Sequence, residues 1–104
     1  MLLGLEPKDS TTGNATFLGE WLWPGVTVDA AAAAVERLAR AADALRLAGQ
    51  EVKHLRSALI PADETLFSWF TASSEAAVAE AAAVAGVRFD RILRTIDLPA
   101  AAWI

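Results

Sequence analysis

The chain contains no cysteine. That removes disulfides, thiolate metal sites and thiol nucleophiles together, and it is the usage expected of a cytoplasmic protein. Histidine occurs once, at position 54, and tyrosine not at all, so one imidazole is the whole supply of side chains that titrate near neutrality. Basic residues are also few: nine Lys and Arg face thirteen Asp and Glu, giving a net charge of -4 and an isoelectric point near 4.8. With those few cations scattered among carboxylates, neither nucleic acid nor a membrane is an expected partner. No apolar run is long enough to cross a bilayer without meeting a charge, and Met1-Leu2-Leu3-Gly4-Leu5 lacks the basic segment of a secretory signal. Glycine patterns that cradle phosphates or dinucleotides are missing, and no glycine elbow surrounds Ser57 or Ser68. No cofactor is therefore expected.

Apolar residues, in contrast, are abundant. They make up 55% of 104 residues, with a mean hydropathy of +0.35, and a chain this short builds one core. More apolar surface is present than one small core hides, and a second copy of the chain is the simplest cover for it.

Residues 1–14 end in the polar cluster Asp9-Ser10-Thr11-Thr12-Gly13-Asn14 and read as a flexible leader, leaving 15–104 as a single domain with a short C-terminal tail. The aromatic stretch 15–23 reads as a strand closed by Pro24-Gly25. Thr27 is placed to cap a helix over 28–48, whose apolar face carries Ala31, Val35, Leu38, Ala42 and Leu45, with Gly49 as its stop. Strands over 51–60 and 65–71 flank the turn Pro61-Ala62-Asp63-Glu64 as a hairpin. Ser73 or Ser74 then caps a helix over 75–85, packed through Val78, Ala81, Ala82 and Ala85, and 87–96 is the last strand. The order βαββαβ predicts an α+β ferredoxin-like fold, with a four-stranded antiparallel sheet and both helices on one face. In the first strand Phe17, Trp21 and Trp23 alternate with Leu18 and Leu22, so both faces are apolar and a homodimer, closing a dimeric α/β barrel, is the expected assembly.

Several segments also resemble a known family. Phe17-Leu18-Gly19-Glu20, Leu22-Trp23-Pro24-Gly25-Val26-Thr27, Leu55-Arg56-Ser57 with Pro61-Ala62-Asp63-Glu64, and Arg88-Phe89-Asp90-Arg91-Ile92 are similar to small actinobacterial domains of unknown function, matched in order over 15–97. That family is related to a nickel-binding protein type, and the resemblance implies the same dimeric α/β barrel. Barrels of this kind include monooxygenases, isomerases, haem-degrading enzymes and simple binders, so the resemblance does not name a reaction. Trp21 and Ser68 stand where relatives are expected to carry Cys, and His54 where an aromatic residue is expected, which argues against an inherited metal site.

The candidate chemistry lies on the strands. Glu20 interrupts an apolar strand, where an ionised carboxylate costs several kcal/mol unless paired. It reads either as a general acid or base or as half of an ion pair with an arginine of strand two or four. His54 is the matching acid/base candidate, and Arg56, two residues on, should share its face and hold an anionic oxygen. Trp21, Trp23, Phe67 and Trp69 are candidate walls for a planar organic ligand, with Ser57 and Ser68 as polar contacts; the same rings equally suit a core or an interface. Ser68 or Trp69 should face with His54, depending on the hairpin register. Three functions stay open on these residues. One is a small-molecule-binding homodimer acting as a cofactor-independent isomerase, cyclase or hydrolase through Glu20 and His54. The others are a divalent-metal binder, such as nickel held by His54 of each subunit, and a non-catalytic dimerisation module.

Overall fold

The computed structural model describes residues 14–100. The expected leader, apart from Asn14, and the end of the tail with Trp103 lie outside the described residues. Strand β1 (Ala15–Leu22) leads through Pro24-Gly25 into helix α1 (Val28–Leu47); β2 (Val52–Ile60) and β3 (Thr65–Ala72) follow as a hairpin; helix α2 (Glu75–Ala85) and β4 (Arg91–Thr95) come last among the described residues. The four strands form one antiparallel sheet in the order β2-β3-β1-β4. This is the ferredoxin-like α+β arrangement that the element order predicts.

Local chemistry explains the boundaries. The Thr27 hydroxyl accepts from the Ala30 N–H at 3.1 Å, and the Ser74 hydroxyl from the Ala77 N–H at 3.2 Å, so each helix starts on a side chain that satisfies an orphan donor. Helix α2 stops at Gly86, whose φ of 72° sits in the left-handed region a glycine enters without strain. The β2–β3 connection is a 3-10 turn over Pro61–Asp63, followed by Glu64 at φ 49°. Glu64 is held there at both ends: its carbonyl accepts from the Trp23 N–H at 2.7 Å and its carboxylate from the Gly25 N–H at 2.9 Å.

The core is assembled from small residues. Ala31, Ala34, Leu38, Ala41 and Ala42 of α1 and Ala77, Val78, Ala81, Ala82 and Ala85 of α2 are buried against Phe17, Val52, Leu66, Phe70 and Ala72 of the sheet. Alanine faces let the helices approach closely, and Arg37 of α1 ties them by donating through Nε to the Ala85 carbonyl at 2.9 Å. Val35 and Leu45, expected on the buried stripe of α1, pack at its margin.

The last strand begins later than the sequence pattern predicts, at Arg91 instead of 87. Residues 87–90 are spent on closing the sheet end: Val87 is buried, Phe89 lays its ring over Gly19, and Asp90 binds β1. The Asp90 N–H donates to the Glu20 carbonyl at 2.7 Å and its carboxylate accepts from the Leu22 N–H at 2.6 Å. A β-carbon on Gly19 would lie 2.7 Å from the Phe89 ring, so glycine is required by the close approach of an aromatic edge.

Candidate functional site

Antiparallel register places facing residues on the same side of the sheet, so each face reads as cross-strand rows. Under the helices one row runs Phe17–Phe70–His54 and the next Gly19–Ser68–Ser57. On the side the helices leave open the rows are Leu93–Leu18–Trp69–Arg56, Arg91–Glu20–Phe67–Ala58 and Thr95–Thr16–Thr71–Lys53. The sequence-predicted site residues therefore divide between two faces.

The division turns on one residue. β2 carries a bulge between His54 and Arg56, opposite Phe70 and Trp69, so Leu55 is an extra residue and the alternation restarts after it. His54 and Arg56, expected to project together because they are two apart, project to opposite faces. Ser68, and not Trp69, shares a face with His54. Glu20 faces away from His54, so the two do not flank one substrate.

On the helix side, His54 Nε2 lies 2.9 Å from the Ser57 Oγ, and that oxygen lies 2.7 Å from the Ser68 Oγ. Ser68 is fully buried, and the His54 ring meets Phe70 edge-on with centroids 5.4 Å apart. Hydrogen-bond bookkeeping favours one direction through this chain: Ser68 donates to Ser57 and Ser57 donates to a neutral Nε2, which uses both hydroxyl hydrogens. Burial holds the His54 imidazole below its usual proton affinity, with Asp43 of α1 opposing the shift. The arrangement is a neutral imidazole poised to accept a proton from Ser57. Trp21 and Trp23, proposed as pocket walls, lie on this side too, stacked on each other at 4.1 Å and 12° and packed against the core.

On the open side, the Arg56 guanidinium carbon sits 3.9 Å over the centre of the Trp69 ring. Phe67 stands beside Trp69 with centroids 6.4 Å apart, and Leu18 and Leu93 continue the row. Glu20 accepts from Arg91 Nε at 2.9 Å, so of the two readings of Glu20 the ion pair with strand four is the one present. The arginine is the more exposed partner, 64% against 20% for the carboxylate side chain, which makes this a rim contact of modest strength.

Among the described residues no three His, Asp or Glu side chains gather in a group that could hold a metal ion. The residues present do not fit the nickel reading suggested by the resemblance: the single imidazole is bonded to a serine under the helices, and two copies meeting through their open faces would not bring two His54 rings together. No helix among the described residues is long and apolar enough to cross a membrane. A groove of about 390 Å³ lies between Arg46, Gln50, Lys53 and Thr71, sharing the Lys53–Thr71 row with the open face but none of the residues around Trp69 or His54.

Three residues of consequence carry little sequence signal. Asp43 reaches the His54 neighbourhood from α1, and Phe89 and Asp90 act on Gly19 and Leu22 from about seventy positions away, where no local spacing relates them.

The geometry defines a ferredoxin-like domain with a hydrogen-bonded His–Ser–Ser chain under its helices and an aromatic, arginine-bearing face on the other side. No family model and no curated protein matches the chain. Among solved structures it is similar to the crystal structure of SCO4226 from Streptomyces coelicolor A3(2), at 22% identity and a TM-score of 0.57, covering 85% of this chain and all of that one. At that identity the likeness establishes the shared ferredoxin-like fold, and neither the family nor the nickel-binding relation that the sequence resemblance suggested.

Proposed function

We propose that this chain is a small-molecule-binding protein that works as a homodimer, with the open sheet face of each copy forming one wall of the ligand chamber. The observation that carries this reading is the row Leu93–Leu18–Trp69–Arg56, a band of apolar and aromatic side chains with a guanidinium stacked at its end, on a face that no described element covers. Leu22, Leu55 and Ile60 add exposed apolar area around it. Each buried aliphatic or aromatic side chain of this kind contributes about 1.5–3 kcal/mol, so covering the band with a second copy offers a substantial driving force. Sheets packed face to face stand about 10 Å apart with their side chains filling the gap, so a ligand chamber needs the two faces held wider than that at the aromatic row. Sedimentation of the tag-free chain tests the assembly. Twice the 11.0 kDa chain mass is expected, falling to a monomer in Leu18→Asp; a folded monomer of the unaltered chain at high concentration would overturn the reading.

A second reading, catalysis of the hydrolase type at the helix-side cluster, is favoured by the 2.9 Å contact between His54 Nε2 and Ser57. A nucleophile and base within hydrogen-bond reach are its first requirement. Ser57 would attack with His54 as base; Glu20 has no part in it. Labelling of Ser57 by a fluorophosphonate probe, abolished in His54→Ala, is the expected result, and an unlabelled chain removes this reading.

A further inference from the structure

On a protein of net charge -4, the open face has the opposite sign. Its rows carry Lys53, Arg56 and Arg91 and a single carboxylate, Glu20. Glu20 is occupied by Arg91, and the Arg56 side chain has neither an ion pair nor a hydrogen bond among the described residues; it rests over the Trp69 ring. A guanidinium held over an indole face and bonded to no carboxylate keeps its N–H donors available, and arginine can meet a carboxylate with two parallel hydrogen bonds.

The sheet rows of a second copy bring no free carboxylate to this face, since they carry the same three cations and one engaged carboxylate. Closing two such faces together brings their cations toward each other with no counter-charge, which weakens the dimer, and an anion entering with them relieves that cost. The body of that occupant is set by its surroundings. Trp69 and Phe67 offer ring faces, Leu18 and Leu93 an apolar floor, and Ala58, next to Phe67 in its row, is the small residue that leaves width for a ring system.

We infer that the ligand of the open face is a planar aromatic or polyunsaturated carboxylate, bound by Arg56 through its carboxylate and by Trp69 and Phe67 through its ring, and that its binding tightens a dimer the apolar band already forms at high concentration. This rests on the homodimeric reading proposed above. The affinity of the two copies for each other then depends on ligand, since the anion cancels the repulsion that otherwise opposes closure.

Calorimetry with 2-naphthoate and with its neutral isostere 2-naphthamide, paired with sedimentation of the same samples at low salt, tests the inference on the full chain. The acid should bind at least about tenfold more tightly than the amide, a difference of about 1.4 kcal/mol. At protein concentrations low enough for the ligand-free dimer to dissociate in part, it should also move the population from monomer toward dimer. Arg56→Met should erase the preference, Arg56→Lys should retain part of it, and Arg88→Met, outside the face, should leave it intact; circular dichroism of each variant establishes that it is folded. Equal affinities for acid and amide, or a preference unchanged in Arg56→Met, would overturn the inference. A dimer whose strength is indifferent to naphthoate would overturn its linkage to assembly while leaving the homodimer standing. A chain that binds naphthoate through Arg56 yet stays monomeric would instead remove the homodimer and keep the carboxylate site.

Discussion

His54 is the residue where environment most changes chemistry. Burial lowers its proton affinity from the ordinary value of 6.5, and the neutral ring is the form that accepts from Ser57. Protonation would make Nε2 a donor to the Ser57 Oγ, so one of the two serine hydroxyl hydrogens would lose its acceptor within the chain. The sign of the linkage follows: below 6.5 the unfolded chain binds more protons at this site than the folded one, so the stability the neutral ring supports is complete above 6.5 and is lost as the pH falls through the lowered folded value. Thermal unfolding of the wild type and His54→Gln from about pH 7.5 to about pH 5 should therefore show the gap between them closing as the pH falls. Gly19 is the second residue whose identity is dictated by one contact. Gly19→Ala would push the Phe89 ring off the sheet and should cost about 1–3 kcal/mol in denaturant unfolding, partly recovered when Phe89→Leu is added.

At the scale of elements, the caps and the bulge carry the testable content. Thr27→Ala and Ser74→Ala should each lower stability by about 1 kcal/mol in denaturant titrations, because each leaves a first-turn N–H without its acceptor. Deleting Leu55 should leave a cooperative thermal transition, since the register on either side of the bulge already skips that residue. Deleting Ala58, three positions on, should abolish cooperative unfolding, because it moves Leu59 from the packed face to the open one. The bulge also marks the boundary of what the sequence made legible. Helix periodicity, the capping residues Thr27 and Ser74, the turn at Pro61 and the two-sided apolar pattern of β1 were all readable, because each rests on neighbours within a few positions. The separation of His54 from Arg56 was not. A bulge formed at a leucine, with no glycine or proline to announce it, arises from ladder pairing with β3 and has no local signature. The pairing of Glu20 with Arg91 was readable as a type of contact, but the partner's identity needed the register of β4.

For the whole molecule, the two faces of one sheet have been given different work. The helix side closes around alanines and a neutral polar chain; the other side keeps aromatic rings and cations at the surface. If a second copy covers that side, stability and concentration become linked, and the midpoint of thermal unfolding should rise with protein concentration, whereas a monomer's would not move. Added naphthoate should raise it further in the wild type and have no such effect in Arg56→Met.

The guanidinium resting 3.9 Å above Trp69 also supplies an optical handle. A positive charge held over an indole perturbs its excited state, so any molecule that draws Arg56 away from the ring changes the colour and yield of that emission. In a version whose other tryptophans are replaced by phenylalanine, the protein becomes its own dye: occupancy of the arginine would be visible in ultraviolet light, without a label and without knowing what nature places there.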